Sequence, residues 1–493
     1  MVELDRRTLL RGAAAATGGA LLGGPFLGFV NRSAAGAAPP VPAPVLGPIP
    51  DLRDGNVRLW LPEGFQYRSF HDTESPVVLG DGTALPGRHD GMGAFRARGR
   101  CRPGNYLLVR NHEVNNPGPA FGDPAKAYDR MAQGGTTTVE VTRFGEVVRS
   151  FTSLNGTQMN CSGGQMPWGS WITCEETVNG PDVGPDFTGA ANVTLTERHG
   201  FIFEVPVDGE SDREPITAAG RFAHESVAFD PADGALYLTE DNFGWPSGFY
   251  RYKPRRHPMH TGRLDNRGRL QMLAVKGRPN LNLAADQPAG ARYRVEWVDI
   301  DDPAPTFPYT PGETAPTPND TALTHVARQG WPRGAAYFSR LEGSAYDDGV
   351  VYFCSTQGGG PAETTLGPIA DGYGNGTGQI WAYHTRHQTL ELVYQSTGPD
   401  VLDFPDNVTT SPRGTLVICE DNVNDNYLRG LTRDGHLFDI ALNRLISSTG
   451  TVRYNDEFAG STFSPDGHTL FVNIQASRGM TFAIWGPWRR IGV

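Results

Sequence analysis

The chain has 493 residues, enough for one large domain or two of ordinary size. Its formal net charge of −11 argues against nucleic acid as a partner. Its 62 glycines and 39 prolines, together with the absence of a long helical period, argue against a mainly helical protein. We therefore expect many short strands joined by turns.

The first segment has the features of an export signal. Arg6 and Arg7 precede a weakly apolar, glycine-rich stretch, and small residues suited to cleavage surround Ala37. Paired arginines with low hydrophobicity predict a twin-arginine signal over residues 1–37, read by the twin-arginine translocase. An ordinary secretory signal or a retained anchor is the alternative. Export would place the protein in the periplasm, outside the cell or on its surface, without membrane contact after cleavage.

The alanine- and proline-rich residues 38–50 follow, and their composition predicts an extended linker. We expect residues 51–493 to form a single domain. Within it, the segment VRLWLPEGFQYRSF could supply an outer strand that closes a ring.

Beyond this segment, one pattern occurs six times: an acidic or thiol residue beside Gly, Ser or Asn, a turn, and a strand that ends in polar residues. Repeats of this period indicate a solenoid or a propeller. We predict an all-β fold, a six-bladed β-propeller with an irregular insertion. The first repeat positions are Asp90, Cys161, Glu225, Glu342, Asp406 and the apolar Ala459.

The insertion is predicted from the spacing of the repeats. The step from Glu225 to Glu342 is about twice the other steps. Either a degenerate seventh blade lies between them, or one blade carries an insertion over about residues 255–320. We favour the insertion, because that stretch is rich in Pro, Arg and Asp and has few strand patterns beyond RLQMLAV and YRVEWVDI.

The first repeat positions predict a metal site. Innermost strands of a propeller surround one funnel, so their carboxylates and one thiolate should converge there. Buried groups of like charge need cations. Carboxylate oxygens suit Ca²⁺, whereas the thiolate of Cys161 favours iron or zinc, so we expect a mixed cluster. The alternative is that the acidic residues only end strands and hydrate the funnel.

The ends of the second strands offer a further acidic set, which includes Glu113, Glu176, Asp241 and Asp421. Neighbouring residues on a strand point to opposite faces, so only one carboxylate of each adjacent pair can face the funnel. The three thiols at these strand ends are expected to be small buried residues instead; they are Cys174, Cys354 and Cys419.

Arg340 lies two residues before Glu342, and residues i and i+2 of an extended segment share a face. Its guanidinium could therefore enter the funnel and hold a phosphate group. A purely structural role, in which Arg340 balances the carboxylates, is equally compatible with the sequence.

Several motifs together resemble the PhoX-type alkaline phosphatases over nearly all of the chain after the signal. They are NC at 160–161, PWGSWITCEE, RFAHESVAFD, LYLTEDN, SRLEGSAYDD, LVICEDN and EFAGSTFSPDGHTLFVNIQ. The resemblance implies a secreted, metal-dependent propeller phosphatase with Ca²⁺ and Fe³⁺. It also implies hydrolysis of phosphate monoesters, and of diesters by some members, with a metal-bound oxygen species as the nucleophile.

The resemblance also implies roles for single residues. Arg340 would hold the phosphate, while Cys161, Glu225 and Glu342 would bind iron. The remaining carboxylates would bind calcium or bridge the metals; they are Glu176, Glu113, Asp421 and Asp406, with Asp90 added from its repeat position. We expect a monomer acting on a small phosphoester. The alternatives are a calcium-dependent lactonase- or phytase-like hydrolase, and a non-catalytic secreted propeller.

Overall fold

A computed structural model describes residues 44–97, 104–115 and 117–493 of the chain. The predicted signal over residues 1–37 lies outside the described residues, and so do residues 38–43 of the predicted linker. Among the described residues, no helix is both long enough and apolar enough to cross a bilayer.

The described residues form a succession of short strands with few helices, as the sequence predicts. The strands before the first repeat are β1 (Leu46–Pro50), β2 (Val57–Pro62) and β3 (Gln66–Phe70). The first two repeats contain β4 (His89–Arg96), β5 (Asn105–His112), β6 (Gly134–Thr142), β7 (Val147–Thr157), β8 (Asn160–Met166), β9 (Ser170–Glu175) and β10 (Ile202–Pro206).

The third and fourth repeats have more strands than the second. They contain β11 (His224–Phe229), β12 (Leu236–Glu240), β13 (Phe249–Pro254), β14 (Gly268–Val275), β15 (Arg292–Asp299), β16 (Leu341–Asp347), β17 (Val350–Ser355), β18 (Gln379–His384) and β19 (Thr389–Gln395). The last two repeats contain β20 (Pro405–Thr410), β21 (Leu416–Glu420), β22 (Tyr427–Leu431), β23 (Leu437–Asn443), β24 (Phe458–Phe463), β25 (Thr469–Ile474) and β26 (Met480–Trp485).

Three short α-helices lie in or near the predicted insertion: α1 (Pro258–Thr261), α2 (Asn319–Leu323) and α3 (Ala327–Gly330). Short 3₁₀ turns occur at Pro124–Lys126, Thr217–Ala219, Trp331–Arg333 and Trp488–Arg490.

The first strands of the repeats lie next to one another around a common centre. Strand β4 packs beside β8, β8 beside β11, β11 beside β16, β16 beside β20, β20 beside β24, and β24 beside β4 again. Each of these strands pairs antiparallel with the strand that follows it in the chain. The all-β, propeller-like fold predicted from the repeats is therefore confirmed.

Apolar layers fill the spaces between neighbouring sheets, and they explain why the second strands are apolar on both faces. In β5, Tyr106 and Leu108 pack with Phe471 of β25, whereas Leu107 and Val109 pack with Trp171 of β9. Alternate residues of one strand thus enter two different layers, because both faces of the sheet are covered. The thiols Cys174, Cys354 and Cys419 lie fully buried in such layers, as small buried residues should.

The strands before the first repeat complete sheets formed much later in the chain. Strand β3 pairs with β26, so the expected closing strand is present within the VRLWLPEGFQYRSF segment. Strand β2 pairs with β23, and β1 pairs with β2. The predicted linker boundary at residue 50 is wrong, because Leu46–Pro50 are held in this sheet by backbone hydrogen bonds.

The predicted insertion contains two long strands, which correspond to the RLQMLAV and YRVEWVDI patterns. Strand β14 is the fourth strand beside β11–β13, and β15 pairs with both β14 and β19. Strand β15 thereby joins two repeats edge to edge in a nine-stranded sheet, and the described strands form five hydrogen-bonded sheets. The number of blades stays a prediction, because this bridge merges two of the expected units.

Candidate functional site

A β-bulge lies at the first position of every repeat. The register of each first strand shifts relative to its partner at this point, for example between His224 and Val227 and between Leu341 and Ser344. The other four repeats have the same shift. A bulge kinks the strand and redirects a side chain, so the repeated irregularity turns the first-position side chains together towards the centre.

One backbone hydrogen bond, found in all six repeats, brings the two predicted acidic sets together. The N–H group of the residue after the second strand donates to the carbonyl of the residue two before the first position. Glu176 thus donates to Met159 (2.9 Å), Asp241 to Ala223 (3.1 Å) and Asp421 to Phe404 (3.0 Å). The equivalent donors in the other repeats are Glu113, Thr356 and Gln475. The contact places Glu176 close to Cys161.

Four of the acceptor residues have a left-handed backbone that is unfavourable for residues other than glycine. Their φ angles are 46° at Arg88, 46° at Met159, 36° at Arg340 and 50° at Phe404. Such conformations cost about 1–3 kcal/mol each and persist where the surroundings impose them. The repeats therefore maintain strain directly beside the candidate site.

Three groups of ligand atoms line up across the centre. Cys161, Glu176 and Glu225 form the first group, with ligand atoms within 4.8 Å of one another. Glu225, Glu342 and Asp406 form the second on the same criterion, so Glu225 is shared. Asp406 is shared with the third group. The whole set, called the central cluster below, is Cys161, Glu176, Glu225, Glu342, Asp406, Asp421 and Glu457.

Glu457 was not among the predicted ligands. The last repeat has the apolar Ala459 at its first position, so the alignment of first positions did not indicate a ligand in this repeat. Glu457 lies two residues before Ala459, the same spacing that separates Arg340 from Glu342. That shared spacing was the signal in the sequence that could have identified it.

The central cluster concentrates acidic groups in a mostly buried place, in which Asp406 and Asp421 are half-buried. Glu225 is 2% exposed; burial first, then the neighbouring carboxylates of Glu342 and Glu176, raise its pKa well above the usual range. Burial and the carboxylate of Glu225 likewise raise the pKa of the Cys161 thiol. Glu225 Oε2 is buried and accepts no hydrogen bond from any described residue. An oxygen in this state fits a cation as its partner, because a buried carboxylate without one is costly.

Asp90 and Glu113 are at the edge of the central cluster and outside its three groups. The side-chain amide of Gln475 donates to both, at 2.9 Å to Asp90 Oδ2 and 2.6 Å to Glu113 Oε2. Arg88 forms an ion pair with Glu113 at 2.6 Å. Burial, followed by the charges of Glu113 and Asp406, raises the pKa of Asp90. Asp90 and Glu113 are thus both bound by neighbouring side chains of the protein.

Arg340 lies in the funnel, beside the central cluster, as its spacing suggested. It is 2% exposed, and its Nη2 atom donates to Glu342 Oε1 at 2.8 Å. Two further bonds, from Nε at 3.2 Å and Nη2 at 3.0 Å, reach the two carboxylate oxygens of Asp241. Asp241 therefore does not join the central cluster among the described residues; instead it orients the guanidinium.

The glutamates that directly precede Glu176, Asp241 and Asp421 in the chain face the sheet instead of the funnel. Glu175 accepts bonds from the ring of His199 and the amides of Gly200 and Phe201. Glu240 accepts bonds from the Tyr250 hydroxyl and the Gly248 amide. Glu420 pairs with Arg429 at 2.9 Å. The expected division of each adjacent pair between the funnel and the sheet thus holds in three repeats.

Comparison with known proteins identifies a matching family. A family model described as alkaline phosphatase PhoX matches residues 46–150 and 145–477. No curated protein sequence matches the chain.

Among solved structures, PhoX of Pseudomonas fluorescens, in complex with the transition-state analogue vanadate, is similar with a TM-score of 0.61 and 17% identity. The match covers 90% of this chain and 97% of the other. A gluconolactonase of Xanthomonas campestris has a TM-score of 0.34 and 12% identity, over 84% of this chain and 100% of the other. Virginiamycin B lyase of Staphylococcus aureus has a TM-score of 0.34 and 11% identity, over 85% and 99%.

Proposed function

Because the chain belongs to the PhoX family of alkaline phosphatases, we propose that it hydrolyses phosphate monoesters at a metal cluster in the funnel. Diesters are a secondary substrate class in this proposal. The observation that carries it is the central cluster itself. Three overlapping groups of ligand atoms, each within 4.8 Å, lie next to a buried arginine.

The donor set supports Ca²⁺ together with iron. Six of the seven residues in the central cluster are carboxylates, which suit calcium, and Cys161 is a thiol, which suits a softer or redox-active metal. We assign Cys161, Glu225 and Glu342 to the iron side, and Asp406, Asp421 and Glu457 to the calcium side. Bound cations would neutralise negative charge on the phosphate oxygens during the reaction.

Arg340 is the residue that we assign to the phosphate. Its guanidinium offers several donors to phosphate oxygens and adds positive charge where the transition state accumulates negative charge. The two bonds to Asp241 restrict its orientation before substrate arrives. Such preorganisation strengthens the interaction, because no reorientation is needed during the reaction.

Export completes the proposal. The twin-arginine pattern at Arg6 and Arg7 supports translocation of the protein to the periplasm or beyond. There it would act as a monomer on small phosphoesters.

The experiment is metal analysis beside turnover of an aryl phosphate, with and without added calcium. The purified protein should contain iron and calcium and hydrolyse the ester. Glu342→Ala should lose both metal and activity, because Glu342 belongs to the central cluster and bonds to Arg340. Glu63→Ala, at an exposed turn, is the matched control and should keep both. Full activity in Glu342→Ala would contradict the proposal.

Cys161→Ala, measured in the same experiment, separates the phosphatase from the alternatives. It should lose iron and turnover while retaining calcium, since only the thiolate selects the softer metal. Unchanged activity with calcium alone would favour a calcium-dependent hydrolase of the lactonase or phytase kind. Calcium without turnover in either protein would favour a non-catalytic propeller.

A further inference from the structure

A cavity of about 610 Å³ opens beside the central cluster and has a lining unlike it. Its floor includes the carboxylates of Glu176 and Asp241, which belong to the site described above. The remaining walls are dominated by apolar side chains: Met159, Val178, Phe187, Phe243, Trp245 and Leu323. A volume of this size is typical of sites for small organic molecules.

The cavity is lined by several loops that are tied to one another. The loop after β9 and the end of the insertion meet where Gly184 donates to the carbonyl of Thr317 at 2.8 Å. Below them, Arg221 forms a two-pronged ion pair with Asp182 and also donates to the carbonyl of Pro305. The walls are therefore held in place in the absence of any occupant.

The loop after β12, which forms another wall of the cavity, is also held by backbone hydrogen bonds. Phe243 and Gly244 follow β12, and the carbonyl of Gly244 accepts a bond from Ile369 at 2.8 Å, while that of Phe243 accepts one from Tyr373 at 2.7 Å. The guanidinium carbon of Arg340 lies 5.3 Å from the centre of the Phe243 ring. The apolar wall thus begins directly beside the group to which we assign the phosphate.

We propose that this cavity is the subsite for the alcohol part of the ester, and that it selects phosphate monoesters of apolar alcohols. The inference rests on the proposed function. An ester whose phosphate contacts Arg340 at the edge of the central cluster has its alcohol carbon atoms within reach of this wall. In the hydrolysis the ester P–O bond breaks, a bond from phosphorus to a water oxygen forms, and the alcohol oxygen leaves with the electron pair and takes up a proton.

The insertion acquires a role in this account. Its end, including α2, supplies Ala315, Thr317, Asn319 and Leu323 to the cavity and covers one side of the funnel. Val178 of the wall packs with Val183 and Ala322 in a small apolar cluster. The length and apolar character of this segment therefore determine which alcohols fit.

The test compares phosphates of ethanol, butanol and hexanol, whose leaving groups have nearly equal intrinsic reactivity. Burying the longer chains should raise kcat/KM by about threefold for each added methylene, or on the order of 80-fold from ethyl to hexyl. A value that is constant across the series to within about twofold would overturn the proposal.

Phe187→Ala is the informative variant, because this side chain lines the cavity yet is 47% exposed, so its removal leaves the buried layers intact. It should lower the hexyl-to-ethyl ratio of kcat/KM by about fivefold or more. Phe144→Ala is the matched control: its ring is 43% exposed and lies near Trp485, on a different part of the protein. An unchanged ratio in Phe187→Ala would contradict the inference.

Binding of 1-naphthol, followed by fluorescence, tests the subsite without catalysis. We expect saturable binding that Phe187→Ala weakens about fivefold and Phe144→Ala leaves unchanged. If neither the aryl phosphate nor any alkyl phosphate is hydrolysed, the proposed function fails, and the naphthol titration still decides on the cavity. Absence of saturable binding, or binding that ignores Phe187, would overturn the subsite.

Discussion

Glu175 and Glu176 are adjacent in the chain, equally deep in the protein, and chemically identical, yet their surroundings are opposite. Glu175 faces into the sheet and is met by His199 and the backbone amides of Gly200 and Phe201. Glu176 faces the funnel, where Cys161 and Glu225 are its neighbours. Glu420 and Asp421 show the same contrast. Glu240 and Asp241 also face opposite ways, but Asp241 is paired with Arg340.

One strand end can thus serve stability and function together. A buried carboxylate is tolerated when donors compensate its lost hydration, and Glu175 and Glu420 are in this state. The funnel-facing set places like charges together and leaves Glu225 Oε2 without a hydrogen-bond partner among the described residues. The carboxylates of the central cluster are therefore the ones that could bind cations, whereas the sheet-facing carboxylates bond to the walls around them.

The largest difference between the funnel-facing and the sheet-facing carboxylates should be the loss of activity on mutation. Glu225→Gln removes a charge from the central cluster, and we expect kcat/KM to fall by about 10³-fold, the magnitude typical for groups that stabilise transition-state charge. Glu240→Gln should stay within about threefold. Burial raises the pKa of Glu240 to about 8, so this carboxyl is already largely neutral at pH 7. Steady-state kinetics on one aryl phosphate measures both; similar losses would erase the distinction.

In the metal-free protein, mutation of a sheet-facing carboxylate should lower stability more than mutation of a funnel-facing one. Glu175→Gln leaves His199 without its closest carboxylate, at 2.6 Å, and should lower the free energy of unfolding by about 3–5 kcal/mol. Glu176→Gln relieves repulsion from Glu225 and should leave stability equal or higher. Urea denaturation in the presence of a chelator compares them. A larger loss in Glu176→Gln would mean that the funnel-facing carboxylate is structural.

The pH dependence of stability should show a smaller effect, which comes from the charge of His199 beside Glu175. Burial alone would lower the pKa of His199, but the charges of Glu175 and Asp129 outweigh it and raise the pKa from 6.5 to about 9. A raised folded-state pKa stabilises fully below pH 6.5, and that contribution is lost as pH rises through 9. The loss should amount to at most about 3 kcal/mol.

Melting temperatures of the metal-loaded protein between pH 6 and 10 measure this effect, with His199→Gln as the reference. The variant should be less stable at pH 6 and should lose less stability towards pH 10. Parallel curves for the two proteins would show that the His199 charge does not contribute.

Much of the site could be predicted from sequence, because an equivalent position recurs in each of the six repeats. The aligned positions of Cys161, Glu225, Glu342 and Asp406 identified four members of the central cluster before any contact was known. Glu457 was not predicted as a ligand, because the prediction used the first position of each repeat and that position is Ala459 in the last repeat. The placement of β1 escaped for a related reason: its proline-rich sequence is typical of a linker, and only pairing with β2 makes it a strand.

The sequence by itself determined the all-β class, the apolar strands, the closing strand and the positions from which acidic groups could reach a common centre. These properties follow from local patterns that recur along the chain. Only the tertiary structure shows which carboxylate of each pair faces the funnel, that Asp241 binds Arg340 rather than joining the cluster, and that several distant loops enclose a largely apolar cavity. Those outcomes depend on bulges and on contacts between segments far apart in the chain, and no local pattern specifies either.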